Sequence, residues 1–138
     1  LMSLVYTVLD TQTHSIETVN AGHCFPFHFR CASGKTVEIE NPAFPLGARK
    51  NGVFDRASVD MDPGDCLILY TDGIVEAKDG MNDFVGYNRL REIVGDVCAI
   101  GRSAETVHAE ILSRVKQMID YRPIEDDVTL LVIRRRNG

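Results

Sequence analysis

The 138-residue chain predicts an α+β fold, an antiparallel sheet with helices on one face. Three observations predict it. β-prone segments separated by turn signals fill the chain as far as Tyr70. Two segments follow in which apolar residues recur at three- and four-residue steps. A last apolar run, Val128–Arg134 (VTLLVIR), then returns to the sheet. Strands and helices are therefore segregated rather than alternating. The apolar character of the last strand suggests an interior position in the sheet.

Each element has its own signal. Leu4–Leu9 contains VYTV, β-branched and aromatic, and reads as a strand. Asp10–His14 is polar and turn-like, and Ser15–Asn20 alternates with Ile16 and Val19 apolar, as the return strand of a hairpin would. Phe25–Arg30 is a third strand candidate, with Pro26 marking an edge or a start. Thr36–Ile39 is β-prone after the Ser33–Gly34 turn, and Asn41–Asn51, with two prolines and Gly47, is loop. Val53–Asp60 resumes a strand pattern. Asp62-Pro63-Gly64-Asp65 is a turn, because Pro pre-sets φ and Gly accepts positive φ. Cys66–Tyr70 then reads as a strand buried on both faces. In Asp83–Val97, Phe84, Tyr87, Leu90 and Val94 mark a helix, with Gly95 obscuring its end. In Ser103–Asp120, Val107, Ile111, Val115 and Met118 mark another. Ser103 serves as N-cap, Glu105 sits in the positive first turn, and Pro123 lies beyond the stop.

Composition narrows the function classes. Hydrophobic residues make up 44% and charged residues 25%, ordinary for a soluble globular domain. A formal net charge of −5 argues against a nucleic-acid partner. Arg134–Arg136 is the one basic run, and at a chain end it reads as a solvated strand end. Cys24, Cys31, Cys66 and Cys98 form no C-x-x-C pair and read as reduced thiols of a cytoplasmic protein. No apolar run approaches the ~18 residues of a membrane span.

Two acidic motifs carry the chemistry. Thr71-Asp72-Gly73 with Glu76 follows one buried strand, and Glu125-Asp126-Asp127 precedes another. If those strands are antiparallel neighbours, the carboxylates meet at one rim of the sheet. Clustered carboxylates repel one another, and a hard divalent cation such as Mg²⁺ or Mn²⁺ relieves that repulsion through oxygen ligands. Such a site would activate water for phosphoryl transfer. The plainer alternative stays open: Asp-Gly is a common turn dipeptide, and Asp126–Asp127 would serve as a solvated turn. Glu76 would then simply face solvent. An EF-hand is excluded, because Asp79–Asp83 lacks the alternating oxygen ligands. Asn20-Ala21-Gly22-His23 is a third feature, with His23 either a general acid or metal-shell residue or a packed residue at a strand junction.

The order of motifs resembles a known family. Asn20-Ala21-Gly22-His23, Pro45-Leu46-Gly47, Pro63-Gly64-Asp65, Leu69–Ala77 (LYTDGIVEA), Phe84-Val85-Gly86 and Asp126–Val132 (DDVTLLV) occur in the order of the bacterial stage II sporulation protein E-type phosphatases. These are a branch of the metal-dependent protein phosphatase 2C superfamily. Each motif alone is weak; six in order, across nearly the whole chain, are specific. The resemblance implies a β-sandwich flanked by helices and a serine/threonine phosphatase with two Mn²⁺ or Mg²⁺ ions that activate a bridging water. It implies metal-site residues Asp72, Gly73 and Asp126, with Asp127, His23 and Glu76 in the surrounding shell. It further implies a phosphoprotein substrate of the anti-sigma-factor-antagonist type, and an upstream sensor or receiver domain.

One departure accompanies the resemblance. The family's Asp-x-x-Gly-His-Gly motif, whose Asp bridges the two metals, does not occur in this chain. The expectation is that residues 1–138 are the C-terminal portion of a single catalytic domain, inactive or weakly active alone, with exposed sheet edges that favour a homo-oligomer. The alternative is a catalytically dead family member that acts as a protein-binding regulatory module.

Overall fold

The structure is a computed structural model and describes residues 1–137. Seven strands and three helices follow in the order β1 (Leu4–Asp10), β2 (Ser15–Ala21), β3 (Phe27–Arg30), β4 (Lys35–Glu38), β5 (Arg56–Asp60), β6 (Cys66–Tyr70), α1 (Asp72–Val75), α2 (Gly86–Ile100), α3 (Ala104–Met118) and β7 (Leu130–Arg134). They build a three-stranded sheet, β1-β2-β5, and a four-stranded sheet, β4-β3-β6-β7. Every strand pairing is antiparallel.

Three layers result, and β6 explains them. Its alternate residues point to opposite faces. Leu67 and Leu69 face the first sheet, where they meet Ile16, Ile39, Met61 and Val59. Cys66, Ile68 and Tyr70 face the helices and pack with Phe27, Phe29, Leu90, Val94, Ile111 and Val115. Fully burying one such aliphatic or aromatic side chain contributes about 1.5–3 kcal/mol, so the five residues of β6 are a main anchor of the fold. α3 begins where the Ser103 side chain accepts the Thr106 N–H at 3.1 Å. α2 runs through Gly95 without a break; a Cβ there would sit 3.1 Å from Thr36 Oγ1, so the glycine lets the helix pass close over β4.

Several expectations need correction. β7 is an edge strand among the described residues, not an interior one: it pairs with β6 alone, and Leu131 is 52% exposed. Its apolar run reflects burial of its faces, Leu130 and Val132 toward the helices and Ile133 toward the first sheet, rather than pairing on both edges. Strand β5 starts at Arg56, and Val53 before it is exposed. α2 starts at Gly86, because Lys78 and Phe84 close a bridge around a turn in which Asp79 Oδ1 accepts the Met81 and Asp83 N–H groups. α1 was not foreseen as an element.

A buried polar knot fastens the turn before β6. Asp65 Oδ1 accepts the Cys31 N–H at 2.8 Å, and Oδ2 accepts the Asp62 N–H at 3.0 Å. The same Oδ2 lies 2.9 Å from His28 Nε2, and both side chains are 2% exposed. Asp65→Ala removes the acceptor of two part-buried N–H groups and the partner of buried His28. It is expected to lower the unfolding free energy by about 3 kcal/mol or more, measured by urea unfolding. A loss under about 1 kcal/mol would show that water replaces the carboxylate.

Candidate metal centre

The β6–β7 register brings the two acidic motifs together. Tyr70 lies opposite Leu130, the last rung of the ladder. Thr71 extends it: its N–H donates to the Thr129 carbonyl at 3.1 Å, and its Oγ1 accepts the Thr129 N–H at 2.8 Å. The same hydroxyl donates to the Asp127 carbonyl at 3.3 Å. The chain then turns directly into α1, where the Glu76 N–H donates to the Asp72 carbonyl at 2.9 Å. That single turn places Asp72 and Glu76 four residues apart, on one side.

Carboxylate oxygens of Asp72, Glu76 and Asp126 all lie within 4.8 Å of one another, and all three residues are exposed. Among the described residues none of them forms a salt bridge with Lys, Arg or His. Three anions this close repel by about 1 kcal/mol per pair even at the dielectric constant of water. The donors are all hard oxygens, with no nitrogen or sulfur among them. That set fits Mg²⁺ or Mn²⁺, which take a few carboxylates and keep several waters.

The other expected site residues have different places. Gly73 is buried, and a Cβ on it would stand 2.3 Å from the Asp127 carbonyl oxygen. The lack of a side chain is what lets α1 sit against the Asp126–Asp127 backbone. The Asp127 carboxylate is not in the trio; its N–H donates to Asp126 Oδ1 at 2.7 Å, and its carbonyl receives Thr71. His23 lines the same cleft as Asp72 and Glu76, apart from the trio. Its backbone is clamped by Asn20, which accepts the His23 N–H at 2.9 Å and donates to the His23 carbonyl at 3.0 Å. Gly22 holds this corner at φ +70°, close to Pro45.

The cleft has a volume of about 550 Å³. Cys24, Tyr70, Tyr87 and Glu38 also line it, and sequence reasoning missed all four. Tyr87 was readable only as part of the apolar stripe of α2, and Glu38 carries no signal. Cys24 Sγ lies 3.8 Å from the Tyr87 hydroxyl. Burial pushes the Cys24 thiol above its ordinary range, with the Asp72 and Glu76 charges adding to the shift. Burial also pushes the Tyr87 hydroxyl up to about 12 and raises Tyr70 further still. These groups are neutral near pH 7, so Cys24 is not a thiolate nucleophile there.

Comparisons with known proteins bear on the family and the fold. The family model described as stage II sporulation protein E (SpoIIE) matches residues 1–136. The chain is similar to phosphoserine phosphatase RsbU of Bacillus subtilis, 22% identical over 136 residues, which cover 98% of the chain and 39% of that protein. The curated relatives it matches are much longer, and the chain spans 20% and 39% of their lengths. Among solved structures, the RsbU and RsbW domains of Rv1364c from Mycobacterium tuberculosis superpose with a TM-score of 0.80 at 24% identity, covering 97% of the chain and 36% of that structure. The Mn-presoaked phosphatase domain of the cell fate determinant SpoIIE from Bacillus subtilis gives 0.71 at 18% identity, covering 99% and 57%. The structural likenesses establish the fold.

Two outcomes test the geometry. Gly73→Ala must displace the Asp127 backbone and so part Asp126 from Asp72. It is expected to weaken Mn²⁺ binding about tenfold in a chain that stays folded, read by calorimetry. Alkylation at pH 8, followed by mass spectrometry, should label exposed Cys31 first. Cys24 should follow only as the pH rises past the ordinary thiol value, because its raised pKa leaves little thiolate below it. Buried Cys66 and Cys98 should label only on unfolding.

Proposed function

The chain belongs to the stage II sporulation protein E family, and from that premise we propose that it carries the metal-binding carboxylates of a serine/threonine protein phosphatase. The observation that carries the reading is the Asp72–Glu76–Asp126 trio, three exposed carboxylates that lack a salt-bridge partner among the described residues; two of them line the cleft. In this reading Asp72 and Asp126 hold Mg²⁺ or Mn²⁺, with Glu76 as a third oxygen donor, and two ions serve the catalytic centre. When bound, the divalent ions supply a nucleophilic water near neutral pH and neutralise charge on the phosphoryl oxygens. The residues of the chain do the rest. Thr71 fixes the two acidic motifs against each other, and Gly73 keeps them close. His23 and the Asn20 clamp shape the wall beside Asp72. Among the described residues no Lys or Arg lines this cleft.

The proposed substrate is a phosphoserine or phosphothreonine of a regulatory protein of the anti-sigma-factor-antagonist type, in cytoplasmic signalling. The similarity to a protein named phosphoserine phosphatase supports this. Residues 1–138 are read as the C-terminal portion of one catalytic domain, a reading supported by the 57% share of the SpoIIE phosphatase-domain chain that they cover. No helix among the described residues is long and apolar enough to cross a membrane.

The test is Mn²⁺ titration by calorimetry, paired with Mn²⁺-dependent hydrolysis of an aryl phosphate ester. Asp72→Asn and Asp126→Asn should each weaken Mn²⁺ binding by more than the ~10–100-fold cost of losing an outer-shell group, and should remove any turnover. Mn²⁺ binding indifferent to both substitutions would overturn the metal site and leave a partner-binding module as the better reading.

A further inference from the structure

The cleft has a second wall, which the carboxylate trio does not explain. Glu38, Tyr70 and Tyr87 form it, beside Phe25 and Cys24. Strand register puts them there. Glu38 lies opposite Phe27 across β4 and β3, and Phe27 lies opposite Ile68 across β3 and β6. Residues directly opposite share a face. Glu38 therefore stands on the helix-facing side, with Phe27 and Tyr70. The Phe27 and Tyr70 rings stack with centroids 5.0 Å apart, and Tyr87 meets Tyr70 edge-on at 6.5 Å.

Two polar groups on this wall lack good partners. Tyr70 is 2% exposed, and its hydroxyl has no hydrogen-bond partner although the residue lines the cleft. The Glu38 side chain is only 20% exposed, and Arg91 reaches it no closer than 4.0 Å. A mostly buried carboxylate, a buried hydroxyl oxygen without a partner and aromatic rings together complement one chemistry. Ammonium and guanidinium groups carry only donors, pair with carboxylates and favour aromatic faces. An anionic group is disfavoured on this wall, because Glu38 would repel it.

We propose that Glu38, Tyr70 and Tyr87 form a subsite for a lysine or arginine side chain of the substrate protein. The subsite shares one cleft with Asp72 and Glu76, so this cation would lie close in space to the phosphorylated residue. The proposal rests on the phosphatase reading for the identity of the partner, and on the cleft alone for its charge preference. Tyrosine hydroxyls are neutral near pH 7, so Glu38 is the charge that selects the ligand.

The test needs no turnover. The full chain, carrying ¹³C-labelled tyrosine, is titrated in EDTA with a short serine peptide containing one arginine, and with its twin in which neutral citrulline replaces the arginine. Tyr70→Phe and Tyr87→Phe assign the two ring signals. The arginine peptide is expected to shift both rings saturably and to bind about tenfold more tightly than its twin. Glu38→Gln, nearly isosteric, should abolish that preference while the remaining spectrum reports an intact fold. Equal binding of the twins, a preference that survives Glu38→Gln, or silent tyrosine rings would each overturn the subsite. A separate Mn²⁺ titration distinguishes the two readings. Arginine preference without Mn²⁺ binding removes the phosphatase reading alone, and Mn²⁺ binding without arginine preference removes the subsite alone.

Discussion

The antiparallel ladder between β6 and β7, ending at Tyr70 opposite Leu130, decides where every acidic group at the rim stands. An antiparallel pair brings the end of one strand beside the start of the other. Residues that follow β6 therefore meet residues that precede β7. A shift of one residue would turn Leu67 and Leu69 out of the inter-sheet core and Ile68 and Tyr70 out of the helix-side core. The register is thus held by burial on both faces, and the carboxylate positions inherit it. Thr71 adds the last constraint by using one hydroxyl both to accept from Thr129 and to donate to Asp127.

This rigidity opposes the repulsion it creates. Asp72, Glu76 and Asp126 would separate if their supports were loose. The repulsion is about 1 kcal/mol per pair in water, small beside the apolar burial of β6 at about 1.5–3 kcal/mol per fully buried side chain. Exposure keeps the desolvation cost of the three charges low, so the frame can hold them close without an internal cation. Gly73 shows how narrow the arrangement is, since even one added carbon would collide with the Asp127 carbonyl.

Much of this frame was legible in the sequence, and the misses have physical causes. The β1–β2 hairpin, the Asp62–Asp65 turn, strand β6 and both long helices announce themselves by periodicity, turn residues and a serine cap. The meeting of Asp72 with Asp126 was legible as soon as two apolar strands were read as antiparallel neighbours. The edge position of β7 was not, because hydrophobicity reports which faces are buried and says nothing about which edges are paired. α1 is a single turn, too short to show a period. Glu38 and Tyr87 escaped notice for another reason. They reach the cleft through cross-strand register and through the approach of the first turn of α2, neither of which is encoded locally.

The charge balance of the cleft links the frame to its proposed chemistry. A phosphorylated side chain is anionic, and the chain as a whole carries a formal charge of −5. Asp72, Glu76 and Glu38 line the cleft without a lysine or arginine among the described residues. On the phosphatase reading, divalent cations held at the trio would reverse the local charge there, whereas Glu38, on the other wall, would keep its own. The two ends of one cleft would then differ in sign, positive where the phosphate would bind and negative beside the aromatic rings. On the phosphatase reading, an acidic lining therefore makes substrate entry conditional on the metal, and the residual carboxylate orients whatever enters.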